Sequence, residues 1–86
     1  MKEKVIELVK NALLLDSNFD NEELEKSDLL AWGMDSVTAI QLIIMLESEF
    51  DIQFNDEDLM LTTVQSVDSI VSTVRKYLQN EVQEWE

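Results

Sequence analysis

The sequence predicts an all-α protein: a four-helix bundle with a short third helix and a long loop between helices one and two. Three observations carry this. Apolar residues recur at helical spacing in three long stretches of the chain. The run Asp16-Ser17-Asn18-Phe19-Asp20-Asn21, rich in residues that favour turns and caps, separates the first stretch from the second. A short segment opened by Asp56, Glu57 and Asp58, acids that suit the positive end of a helix dipole, separates the second from the last.

The first helix is expected over Lys2 to Leu15. There Val5, Leu8, Val9, Ala12 and Leu13 fall at i, i+3, i+4, i+7 and i+8, the spacing of one buried face. Within the following connection Asp16, Asn18 and Asp20 alternate like the start of a calcium-binding loop. The sixth position, which requires glycine, is Asn21, and the twelfth, which requires a bidentate glutamate, is Ser27. These residues therefore read as a helix C-cap and a turn, with no metal ligand among them. Glu22 to Lys26 can add a short helical turn. Leu24, Leu29, Leu30 and Trp32 are too apolar to stay in water, so the long connection is expected to pack over the bundle.

The second helix is expected from Ser36 to Glu49 or Phe50. Gly33, the one glycine of the chain, suits a tight turn into that helix. Asp35 stands where an N-cap belongs, able to accept an N–H of the first turn that has no partner within the helix. Ser36 follows at the first helical position, with its hydroxyl facing solvent. Ala39, Leu42, Ile43, Leu46 and Phe50 gather on one face as core. Val37, Ile40 and Ile44 collect on nearly the opposite face, flanked by Gln41, Glu47 and Ser48. Two readings of this second stripe stay open: another helix of the bundle covers it, or it is a docking patch beside Ser36.

Asn55 can cap the short third helix, with Leu59, Met60 and Leu61 as its apolar side; the three acids read as capping and solvated surface before they read as a metal site. Thr62 or Thr63 then caps the final helix, where Val64, Val67, Ile70, Val71, Val74, Tyr77 and Leu78 keep helical spacing to about Asn80. Arg75 and Lys76 fall in its last turns, the end that favours cations. Residues 81–86 form an acidic tail, either frayed or with Trp85 packed back on the bundle.

Composition narrows the function classes. The 86 residues suffice for a single domain over 1–86, with an ordered core of about 2–80. Six basic residues against nineteen acidic ones leave a formal charge of −13, which repels nucleic acid and favours basic protein partners. There is no cysteine for a disulfide or a thiolate, and no histidine for acid–base work near neutral pH. The basic start Met1-Lys2-Glu3-Lys4 is followed by Glu7 and Lys10, which interrupt the apolar stretch a signal peptide requires, and no run reaches membrane-spanning length. A soluble, cytoplasmic monomer without a membrane partner is expected. No catalytic residue is expected either, because acids lie mainly at caps and surfaces and nothing in the sequence supplies a base for Ser36.

The run Gly33-Met34-Asp35-Ser36-Val37, followed by an apolar helix ending Leu46-Glu47-Ser48-Glu49-Phe50-Asp51-Ile52, resembles the acyl and peptidyl carrier proteins. The likeness covers about Leu24 to Leu78. It implies a freestanding carrier with 4′-phosphopantetheine esterified to Ser36, whose terminal thiol holds an acyl, aminoacyl or polyketide group as a thioester. It also implies that Asp35 caps the helix and helps hold the transferase's metal-bound cofactor. Val37, Ile40, Gln41, Ile44 and Glu47 would form the partner-docking surface, and Leu59, Met60 and Leu61 the lining for the attached chain. The implied partners are a phosphopantetheinyl transferase, a loading ligase or acyltransferase, and downstream synthase components, bound transiently and with sensitivity to salt. Val37 stands where the family usually has leucine. The run Ala39-Ile40-Gln41 is more similar to carriers of nonribosomal peptide or specialised polyketide pathways than to the carboxylate-rich fatty-acid-synthesis members. The alternative class is an acidic helical adaptor that binds a basic partner through the same stripe and leaves Ser36 unmodified.

Overall fold

In a computed structural model the described residues are 1–84, with side chains described to residue 78. They form four α-helices: α1 (Lys2–Leu13), α2 (Asn21–Lys26), α3 (Ser36–Phe50) and α4 (Val67–Glu84). Three short 3₁₀ turns lie between them, at Leu29–Trp32, Asp56–Asp58 and Leu61–Val64, and there is no strand among the described residues. None of these helices is long and apolar enough to cross a membrane. Trp85 and Glu86 lie outside the described residues, so the packing of Trp85 does too.

α1 packs against both α3 and α4. Its apolar stripe is realised by Val5, Leu8 and Val9, with Ile6 also buried and Ala12 and Leu13 only half-buried at the helix end. The helix stops at Leu13 because Leu14 turns left-handed (φ 59°, ψ 36°), and the Leu15 N–H then bonds back to the Lys10 carbonyl at 2.9 Å. Glycine normally fills that position; here a leucine with 91% of its surface exposed occupies it. Its side chain is not compensated by burial.

The long connection folds as its capping residues dictate. The Asp16 carboxylate accepts the Asn18 N–H at 2.8 Å, and that of Asp20 accepts the Glu22 N–H at 3.0 Å, starting α2. Both acids of the calcium-like alternation thus hold backbone. Leu24 and Leu29 are fully buried anchors, as expected for a loop packed over the bundle. Leu30 and Trp32 instead remain partly exposed, with Trp32 meeting Phe19 edge-to-face at 4.9 Å. A Leu29 N–H bond to the Gln65 carbonyl at 2.7 Å ties the loop to the approach of α4, and Lys2 reaches Glu25 at 2.7 Å across the helix ends.

α3 buries Ala39, Leu42, Ile43 and Leu46, and Phe50 is half-buried. The segment expected as a short third helix does not form one α-helix. It divides into the 3₁₀ turns Asp56–Asp58 and Leu61–Val64. Asn55 makes no side-chain cap; its N–H bonds to the Tyr77 hydroxyl at 2.8 Å. α4 begins later than the Thr62 or Thr63 caps would have it, because Ser66 supplies the cap by accepting the Ser69 N–H at 3.1 Å. Thr62 contributes its carbonyl to the Ser69 hydroxyl at 3.1 Å. α4 also runs on to Glu84, past the expected end near Asn80, so Arg75 and Lys76 lie in mid-helix and its last turn carries no base. The expected core residues Val64, Val67, Ile70, Val71, Val74 and Tyr77 are all buried.

Candidate functional site

Three local choices of backbone build the site. Gly33 closes the Leu29–Trp32 turn at φ 104°, and a Cβ there would meet nothing within 4 Å. The glycine therefore answers a backbone requirement, not a lack of space. Met34, next along, is buried and pins the loop to the core. Asp35 is extended (φ −126°, ψ −175°), and its carboxylate accepts the Thr38 N–H at 2.8 Å. That bond holds the carboxyl below the ordinary aspartate range. Ser36 then opens α3 and is exposed.

The second stripe of α3 is not covered by another helix. Val37, Ile40 and Ile44 keep 66%, 57% and 58% of their surface exposed, and Gln41 between them is exposed as well. Of the two readings left open by the sequence, the bundle-buried one is thereby excluded. Glu47 is set apart from the other stripe residues. It is half-buried, and its carboxylate accepts the Phe54 N–H at 2.9 Å, so it fastens the chain after α3.

Leu59 and Met60 stand across from this ridge, exposed, with Leu61 half-buried behind them. Together with Ser36, Ala39, Ile40 and Ile43 they line a groove of about 80 Å³ that borders the serine. The residues predicted as a chain lining and the predicted attachment residue therefore share one groove, although 22 residues lie between Ser36 and Leu59 in sequence.

A cluster that sequence reading did not anticipate lies behind that wall. The Asp58 carboxylate accepts from the Tyr77 hydroxyl and from Lys76 Nζ, the latter at 2.8 Å. Both bonds, Lys76 first, hold Asp58 below the usual carboxylate range. Burial, and then the neighbouring carboxylate, push the Tyr77 phenol up, and Asp58 raises Lys76. Phe54 stacks on Tyr77 at 5.0 Å. No spacing rule links residues this far apart, so only a folded chain reveals the contact. No group of three or more His, Cys, Asp or Glu residues converges to hold a metal among the described residues.

Residues 3–74 match a family model described as "Phosphopantetheine attachment site". Curated relatives that match most of the chain carry the name "Acyl carrier protein". That of Chlorobium phaeobacteroides is 37% identical over 83% of this chain and 91% of its own. That of Buchnera aphidicola is 33% identical over 91% and 95%, and that of Clostridium acetobutylicum 31% identical over 90% and 95%. No solved structure gives a significant match.

Proposed function

The chain belongs to the phosphopantetheine-attachment family of carrier proteins, and from that membership we propose that Ser36 is the residue to which 4′-phosphopantetheine is joined. A protein of this family carries its group covalently and serves as an acyl carrier, not as a catalyst. When bound, the arm supplies a thiol that holds the cargo as a thioester.

The single observation that carries the assignment to Ser36 is its position: an exposed serine on the first turn of α3, bordering the apolar groove. The chain's residues fit the group. Asp35 keeps its carboxylate on the Thr38 N–H, and no acid follows in the first turn of α3, so Ser36 would hold a phosphate ester at the positive end of the helix. Leu59, Met60 and Leu61 offer apolar surface to the cargo. Val37, Ile40, Gln41 and Ile44 form the exposed ridge on which a phosphopantetheinyl transferase, a loading ligase or acyltransferase, and downstream synthase components would dock. Glu47, half-buried and holding the Phe54 N–H through one oxygen, would complete that docking surface.

The finer reading is a carrier of a specialised nonribosomal peptide or polyketide pathway, acting in the cytoplasm. Support comes from the run Ala39-Ile40-Gln41, which bears no carboxylate, and from the exposed ridge Val37, Ile40, Gln41 and Ile44, which bears none either. Coexpression with a phosphopantetheinyl transferase tests the central assignment. Intact mass should rise by one cofactor in the parent protein and not in Ser36→Ala. An unmodified parent with several competent transferases would return the chain to the acidic-adaptor reading.

A further inference from the structure

The Asn55–Met60 segment that walls the groove is attached to the bundle in an unusual way. Its turn Asp56–Asp58 contains no buried residue, and Leu59 and Met60 keep 46% and 51% of their surface exposed. Little apolar burial holds it, so polar contacts must. Those contacts converge on neighbouring residues of α4. The Tyr77 hydroxyl accepts the Asn55 N–H at 2.8 Å and donates to Asp58, while Lys76 Nζ reaches the same carboxylate oxygen at 2.8 Å. Tyr77 thereby bonds to both ends of the turn. Its ring is buried and stacked on Phe54, whose own N–H is held by Glu47 of α3. The hydroxyl therefore has a rigid mount on the core.

We propose that Tyr77, Asp58 and Lys76 form a latch that clamps the Asn55–Leu59 turn to α4 and so fixes the distance of Leu59 and Met60 from α3, setting the length of cargo the groove beside Ser36 accepts. The inference rests on the assignment of Ser36 as the attachment residue. With the latch closed the groove beside Ser36 is a small cleft of about 80 Å³ walled by Leu59, Met60 and Leu61. A short acyl chain fits such a space; a long one requires the wall to move away. Tyr77, Asp58 and Lys76 are positioning residues, since none of them lines the groove.

Tyr77→Phe removes the hydroxyl and keeps the stacked ring, so the core survives; Asp58→Ala is the independent second variant. In the unloaded protein, amide hydrogen exchange at Asn55 and Leu59 should quicken about tenfold in either variant, and by little more in the double variant, because all three residues share one network. A second readout uses the parent and Tyr77→Phe proteins charged by a phosphopantetheinyl transferase from butanoyl- or octanoyl-coenzyme A. In the parent, methyl resonances of Ile43 and Met60 should shift with butanoyl and no further with octanoyl. In Tyr77→Phe, octanoyl should shift them further. Unchanged exchange at Leu59 overturns the latch. Quickened exchange with identical octanoyl shifts in both proteins overturns its control of cargo length and leaves only a stabilising contact. A chain that gains no mass on charging defeats the Ser36 assignment alone, and the exchange experiment still decides the latch.

Discussion

Asp35 shows how one side chain can set both the geometry of the site and its response to pH. Its carboxylate binds the Thr38 N–H, and this bond keeps its folded pKa below the ordinary value of 3.8. For an acid depressed in the folded state, the stabilisation is complete above the unfolded pKa and is lost as pH falls through the lower folded value. Asp35→Asn keeps a capping oxygen without a titrating group. The difference in melting temperature between parent and Asp35→Asn should therefore narrow as pH is lowered from 5 towards ~2, as followed by circular dichroism. Asp35→Ala removes the cap altogether and should melt roughly 5 °C lower at neutral pH. Ser36 beside it shows the limit of a single-residue argument. A serine after a capping aspartate is an ordinary helix start, and what sets this one apart is its exposure next to an apolar groove.

At the level of elements, the chain ends its helices where backbone geometry allows, sometimes with residues poorly suited to it. α1 and α3 both terminate on left-handed non-glycine residues, Leu14 at φ 59° and Asp51 at φ 55°. A left-handed L-residue costs about 1–2 kcal/mol, and at Leu14 almost no side-chain burial offsets it. Leu14→Gly should raise stability by about 1 kcal/mol after the glycine's extra unfolded-state entropy is counted, measured by urea denaturation at constant slope. A loss of stability would mean that the leucine is held by contacts its exposure does not show. The same scale explains the divided third segment. Asn55, a plausible cap by type, gives its N–H to Tyr77, and Asp58 gives its carboxylate to Lys76 and Tyr77. These contacts hold the segment to α4 in its 3₁₀ form.

Across the whole molecule, charge is the dominant imbalance. Nineteen acids face six bases, and the ion pairs among the described residues, Lys2 with Glu25 and Asp68, Lys4 with Glu7, and Lys76 with Asp58, engage only a minority of those acids. Such pairs at the surface contribute little, while the surplus of carboxylates repels itself in the compact state. Sodium chloride raised from ~10 to ~150 mM shortens the screening length from about 30 to about 8 Å. The melting temperature should rise across that range, more steeply than for a chain of balanced charge, and a calorimetric scan will show it. A flat response would mean that the carboxylates are already spaced beyond mutual reach. The same field would favour the approach of basic protein surfaces over acidic ones.

Which faces the long helices bury was readable from residue order. The stripes Val5-Leu8-Val9, Ala39-Leu42-Ile43-Leu46 and Val67-Ile70-Val71-Val74 are buried as their period requires, because a helix repeats its face every three to four residues whatever lies beyond it. The cap at Asp35 and the turn at Gly33 were legible for a similar reason, since both depend on residues within one turn. Contacts between separate segments emerged with the folded chain alone. It left Val37, Ile40 and Ile44 uncovered, drew Glu47 away to Phe54, set Leu59 and Met60 beside Ser36, and tied Asp58 to Tyr77. Each of these outcomes depends on which segments meet in space, and periodicity within one helix carries no information about a meeting with a residue outside it.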